Sequence, residues 1–407
     1  MSGFHLRTAF LATVLGVLAA CVFPLLAAGQ AAAPSASLRS DPVTRKGFEA
    51  YYSLDYASAV RNFEQALAAH PDDPFAVNHL LAAVLFRELY RIGAFDTGLY
   101  ANNSFLERKQ LPPDPKVQAR IQELVARSLD LCEKRLAAQP DDVDTLYARG
   151  VVRGMQSTYM GLVEKAWMAA LRNAKGARDD HERVLQLQPS YADAKTVVGV
   201  HEYIAGSLPF LVKAVAFLAG YRGNREKGIR YLYEAGEKGV ESSVDARIAL
   251  GLFLRREERF VDALPVARGL AARHPRNFLF ALEEANVLND AGRGRDAIAA
   301  YRKVLDEARS GRFFEPRLQL ASFGLGEALR GQREYPAAVE AYLAVPGYPN
   351  VEKELAQRAH LSAGEIYDLM GQRDPARKQY QAALALGAGS RWGELARLRL
   401  REPFRER

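Results

Sequence analysis

Apolar residues recur at intervals of three and four along most of the chain, the spacing that lays one face of an α-helix against a neighbour. The clearest stretch is Asp245 to Arg276, DARIALGLFLRREERFVDALPVARGLAARHPR. Ala249, Leu250 and Leu254 mark one helix, while Ala263, Val266, Ala267 and Leu270 mark a second that stops before Pro275. Gly251 and Ala263 stand where two antiparallel helices would touch most closely. No stretch alternates apolar and polar residues with a period of two, and no Asn-Gly turn joins such stretches. The chain is therefore expected to be nearly all helix.

The same beat returns along the sequence. Gly47 to Ala59, Gly251 to Ala263 and Gly364 to Ala376 share one offset, as do Ala285 to Ala297 and Gly326 to Ala338. Ala59 to Pro71 likewise matches Ala263 to Pro275. A small residue in the first helix of each pair lets the second approach, and the alanine there fits against it. An aromatic residue (Phe63, Tyr301, Tyr342 or Tyr380) is expected to fill the gap towards the next hairpin. The proline ends the second helix because it has no N–H to donate.

These spacings resemble the tetratricopeptide repeat, about 34 residues built as helix, turn, helix. The resemblance implies an all-α, right-handed superhelix, a solenoid of about eight or nine helical hairpins over residues 43–401. Each hairpin in such a fold contacts mainly its neighbours, so a long chain needs no single large core.

Two stretches break the register. Residues 93–114 read as a loop, with Asn102, Asn103, Pro112 and Pro113. Residues 207–223 belong to a longer run, Ser207 to Gly239, SLPFLVKAVAFLAGYRGNREKGIRYLYEAGEKG. Its apolar helix, Phe210 to Leu218, is interrupted only by Lys213, and Asn224 is a candidate N-cap for a second helix from Arg225. This LP…K…FLxGxxGxRExG pattern is similar to one in a family of eukaryotic tetratricopeptide proteins linked to inclusion-body and lipid-droplet clearance. That likeness covers a short part of the chain and implies no role for any residue.

At the N-terminus, Thr8 to Ala28 form one apolar run after a head containing His5 and Arg7, so residues 1–29 read as an export signal or an N-terminal anchor. Cleavage within Ala27 to Ala33 would release the chain. Leu18-Ala19-Ala20-Cys21 resembles a lipobox, which would lipidate Cys21. An uncleaved segment of this length would span a bilayer, although Pro24 opposes it. Each outcome places the remainder outside the cytoplasm: periplasmic or secreted, or alternatively a membrane-anchored lipoprotein. Residues 30–42 are an Ala/Ser/Pro tether. At the other end, the helix Arg391 to Arg401 reads as a cap over the last repeat, with a membrane-surface helix as the alternative, and residues 402–407 as a basic tail.

Composition narrows the chemistry. The net charge of +7 suits an acidic partner, anionic headgroups or nucleic acid. Lys and Arg nevertheless interleave with Asp and Glu, as in RREER, and no block of like charge forms a nucleic-acid arm. No nucleic-acid partner is expected. With only Cys21 and Cys132 there is no disulfide framework, and Cys132 falls on an apolar helix side as a small core residue. His201-Glu202 begins like a zinc-protease motif, but Ala205 stands where the second histidine belongs. Asp179, Asp180 and His181 are adjacent on one helix, face different ways, and are expected at the surface. There is no nucleophile elbow, phosphate loop or dinucleotide fingerprint. The expectation is a non-enzymatic protein without cofactor or metal.

Binding is what remains. The repeat resemblance places Tyr147, Tyr203, Arg255, Arg256, Asn286, Asn289 and Glu327 on the concave surface, where a protein or extended peptide would lie. Asn286 and Asn289 are three apart and share a helical face, and their amides can hold a peptide backbone. Arg255 and Arg256 can receive a carboxylate. The chain is thus expected to be an exported scaffold or adaptor. The alternative is a membrane-surface factor in lipid or envelope organisation that uses Phe210, Lys213 and Phe217. Oligomeric state is left open.

Overall fold

The structure, a computed structural model, describes Leu38 and residues 41–95, 112–207 and 223–406. The export segment, Cys21, most of the tether, most of both register breaks, and Phe210, Lys213 and Phe217 lie outside the described residues. The described chain is all-α, with seventeen α-helices and no strand. It divides into two units, one up to Val266 and one from Ala267.

The first unit contains α1 (Pro42–Tyr51), α2 (Tyr56–Ala69), α3 (Pro74–Arg91), α4 (Pro115–Ala138), α5 (Val143–Leu162), α6 (Trp167–Leu187), α7 (Ala194–Gly206), α8 (Arg225–Lys238), α9 (Ser243–Arg256) and the start of α10 (Phe260–Arg273). Successive helices pair as hairpins, α1 with α2, α3 with α4, α5 with α6 and α7 with α8, and each hairpin packs on the next. The second unit contains α11 (Phe278–Asp290), α12 (Gly294–Arg309), α13 (Leu318–Gly331), α14 (Tyr335–Ala344), α15 (Lys353–Leu369), α16 (Arg373–Gly387) and α17 (Arg391–Arg401). Here α11 pairs with α12, α13 with α14 and α15 with α16, and α17 lies on α16. Counting α9 with the start of α10, where Gly251 faces Val266, there are eight hairpins among the described residues.

Short acidic or amide side chains start many of these helices. Asp41, Asp55, Asp73, Asp114 and Asp142 each accept a backbone N–H from the first turn of α1 to α5. Each such cap contributes about 1 kcal/mol. Pro42, Pro74 and Pro115 stand in first turns, where no helical donor is lost. Asn224 caps α8 as expected, accepting from the Lys227 N–H at 3.0 Å. The turn after the first helix of a hairpin reuses one left-handed residue: Leu54, Glu258, Gly292, Arg333 or Gly371. Only two of these five are glycine, so the composition of the turns conceals them.

The predicted alanines Ala59, Ala263, Ala297, Ala338 and Ala376 are all completely buried. The aromatics differ from expectation. A Cβ on Gly326 would lie 2.7 Å from the Tyr342 ring, and one on Gly364 would lie 2.5 Å from Tyr380. Phe63 crowds Gly47 in the same manner. These rings therefore cross the glycine of their own hairpin, because only a missing Cβ leaves room for an aromatic between paired helices. Tyr301 alone of the four follows the expected direction, resting 2.5 Å from a Cβ built on Gly324 of the next hairpin. Gly251, by contrast, faces Val266 at an ordinary 3.6 Å.

At the end of the second unit, α17 buries Ala396 against Leu361, Ala376, Tyr380 and Ala383, with Trp392, Leu395 and Leu400 around it. In the first unit, Tyr52 at the end of α1 donates to the Asp245 carboxylate on α9 at 3.2 Å. Nearby, the His79 imidazole of α3 lies 4.0 Å from the buried Glu241 carboxylate.

Candidate peptide-binding surface

In the second unit the first helix of each hairpin (α11, α13 and α15) carries a polar residue that receives a phenol from the second. Tyr301 donates to Asn286 at 2.7 Å, Tyr342 to Glu327 at 2.5 Å and Tyr380 to Asp368 at 2.7 Å. The three rings are fully buried. Burial, with the neighbouring carboxylates Glu327 and Asp368, pushes the Tyr342 and Tyr380 phenols well above their usual range. They stay protonated donors and fix the acceptors on the first helices.

Beside these acceptors runs a strip of alternating charge and aromatic rings. Arg358 of α15 stacks 4.6 Å from the Phe323 ring of α13 and 5.2 Å from Trp392 of α17. Glu365 of α15 accepts from Arg330 of α13 at 3.1 Å and from Arg399 of α17 at 3.2 Å. Arg317 and Glu352 add a further pair at 2.5 Å. Asp368 is the most heavily used acceptor. Besides Tyr380 it takes Arg373 at 2.9 Å and 3.0 Å, and the backbone N–H of Phe404 at 2.8 Å. The Phe404 ring then lies between two guanidiniums, 5.2 Å from Arg330 and 4.7 Å from Arg399. Residues 402–406 are non-helical, so an extended stretch of chain already rests against this surface.

A separate cleft of about 520 Å³ opens beside α11 and α12, floored by Ala281, Leu288, Ala300 and Val304. Its rim charges pair with one another, Arg268 with Glu284 at 2.8 Å and Arg312 with Glu307 at 3.2 Å. Among the described residues no group of three or more His, Cys, Asp or Glu is placed to hold a metal ion. No described helix is long and apolar enough to cross a membrane.

Residues 282–352, from within α11 to the turn before α15, match a family model described as a tetratricopeptide repeat. That segment is a tetratricopeptide repeat, and the all-α hairpins around it share its fold. No curated protein matches its sequence. Among solved structures it is similar to Pseudomonas aeruginosa pilF, with 15% identity over 64% of this chain and 99% of that one, at a TM-score of 0.39. It is also similar to a tetratricopeptide repeat protein from Parabacteroides merdae, with 17% identity over 78% of this chain and 97% of that one, at 0.32. Yeast Tom70 is 12% identical over 90% of this chain and 91% of that one, at 0.39. Tetratricopeptide folds typically serve as interaction scaffolds rather than catalysts.

The tetratricopeptide frame separates the sequence-predicted binding residues into two groups. Tyr147 and Tyr203 are buried at 0% and 1% exposure, which corrects their placement at a binding surface. Tyr147 packs against His181 and Tyr191, and Tyr203 stacks 3.8 Å from Phe253 while its hydroxyl donates to Glu257. Both point inward because the hairpins they join need aromatic filling at those positions. Arg255 is buried as well, whereas its neighbour Arg256 is partly exposed. In the second unit Asn286, Asn289 and Glu327 are partly exposed. The Asn286 amide is already engaged by Tyr301 and by Glu283, which it reaches at 3.3 Å.

Asp180 and His181 are likewise buried rather than superficial. Asp180 receives Arg149 at 2.6 Å and Arg153 at 2.8 Å, and the His181 ring accepts the close approach of Gly150. Cys132 is a buried core residue as expected, its thiol pushed up to about 12 by burial.

Phe323, Arg330, Arg358, Glu365, Asp368 and Phe404 were not singled out by the sequence. A signal for some of them existed. Arg317 and Glu352, Arg330 and Glu365, and Glu365 and Arg399 are separated by 35, 35 and 34 residues. Opposite charges one repeat apart face each other on stacked hairpins, so charge matched at the repeat period points to this strip.

Proposed function

We propose that the protein is a non-enzymatic scaffold or adaptor that binds an extended segment of a protein partner along α11, α13 and α15. The carrying observation is that residues 402–406 already lie there in non-helical form, with the Phe404 backbone N–H on Asp368. Carboxylates and amides along these helices suit peptide N–H groups, and arginines over rings suit aromatic or acidic side chains. Asn289, Glu327, Arg330 and Arg358 are the proposed contacts, with Arg256 as a candidate in the first unit. The apolar run from Thr8 to Ala28 supports export, with the binding surface working in the periplasm or outside the cell.

A peptide array probed with the full chain tests the binding role. Retention of a sequence-restricted subset is expected, with at least about a tenfold loss of affinity in Arg358→Ala or Asn289→Ala at unchanged Tm, which corresponds to about 1.4 kcal/mol. An array that retains nothing, or retention indifferent to both substitutions, contradicts the reading.

A further inference from the structure

The helix α17 ends at Arg401 for a local reason. Glu402 precedes Pro403, and a residue before proline is driven out of the helical region; its backbone is accordingly extended, with φ −120° and ψ 118°. Pro403 carries no N–H, so the next available donor is that of Phe404, and it reaches Asp368 at 2.8 Å. The ring that follows enters the gap between Arg330 and Arg399. That gap is built in advance by other groups. Glu365 holds both guanidiniums, and Tyr380 and Arg373 hold Asp368.

We infer that this cradle on α13, α15 and α17 is a recognition site for a proline–aromatic segment of a partner protein, kept occupied by the chain's own residues 402–406 until that segment displaces them. The inference rests on the peptide-binding role proposed above and names the chemistry of its ligand. Phe404 is only partly buried, and cation–π contacts at an exposed site are individually weak. The occupant is therefore displaceable. Its advantage is tethering, since a short linker holds a segment at an effective concentration of roughly millimolar. A partner segment succeeds by adding contacts along the neighbouring helices beyond those that Phe404 makes.

The test uses the full chain and a fluorescein-labelled peptide, Glu-Pro-Phe-Arg-Glu, followed by fluorescence polarisation. Phe404→Ala empties the cradle and is expected to bind the peptide at least about tenfold more tightly than the unaltered chain, because the competent fraction rises. Replacing the peptide's phenylalanine by alanine should remove binding. So should Arg330→Ala added to Phe404→Ala, with the Tm of both variants monitored to show that they remain folded. Equal affinity for the unaltered and Phe404→Ala chains, or binding to neither, overturns the inference. If array peptides bind equally to both chains, the scaffold role stands and the cradle does not. If Phe404→Ala takes up the labelled peptide while the array stays blank, the cradle stands and the wider surface does not. A concentration-dependent dimer that Phe404→Ala abolishes would make the occupant a second copy and overturn the assignment to a partner.

Discussion

Gly326 and Gly364 are needed for space, not for backbone freedom, because each lies inside a helix under a buried tyrosine ring. Gly326→Ala and Gly364→Ala should each destabilise the second unit by about 1–3 kcal/mol, the usual cost of overpacking. Gly251 has the same place in its hairpin but room for a methyl group 3.6 Å from Val266. Gly251→Ala is expected to be neutral or to stabilise by up to about 1 kcal/mol through helix propensity. Urea denaturation of the three variants checks this, and a uniform response would refute it. The small-residue beat was legible in the sequence because it depends on spacing. Which small residue is indispensable was not, since that depends on the ring opposite. The same limit explains Tyr147 and Tyr203, whose repeat positions were readable but whose inward orientation depends on His181, Tyr191 and Phe253.

Helix boundaries were readable where the local chemistry is explicit. Asn224 before α8 and the bounds of α17 emerged as expected. The start of α9 was not readable, because its cap comes from elsewhere. Asp193, buried just before α7, accepts the backbone N–H groups of Glu241 at 3.0 Å and Ser242 at 2.8 Å, and the Ser242 hydroxyl at 2.9 Å. No rule of local spacing joins residues nearly 50 positions apart. Asp193→Ala strands those donors in a buried turn and should cost about 1–3 kcal/mol, with hydrogen exchange accelerated first at the start of α9. Unchanged exchange there would show that the turn holds without its carboxylate.

For the molecule as a whole, the fold was the most legible property and the binding surface the least. Repetition repeats its signal, whereas the contacts around Phe404 occur once. The first unit also carries a response to acid that composition does not reveal. Burial holds the His181 imidazole below its usual value, and burial with Arg178 nearby lowers His201 to about 4. In the unfolded chain both protonate near pH 6.5. Between about pH 6.5 and 4 the unfolded state therefore binds protons that the folded state refuses, and stability falls as the pH falls. For His201 the loss across that window is on the order of 2–3 kcal/mol, all of it present above pH 6.5. His201→Gln should flatten the decline measured by urea midpoints between pH 7 and pH 4. A decline of the same slope in that variant would exclude His201 as its source.

The bond from Tyr52 to Asp245 crosses 193 residues of sequence. A stack of hairpins with neighbour contacts alone can begin folding at any point and fray from either end. A link between the first and fifth hairpins cannot form until those between them are assembled, and its loop-closure entropy falls due only then. The first hairpin is therefore the last to gain its full set of contacts, and its loosening releases α9 as well. That couples the first described hairpin of the first unit to its last complete helix, so this part of the solenoid should melt as one cooperative block instead of peeling away repeat by repeat.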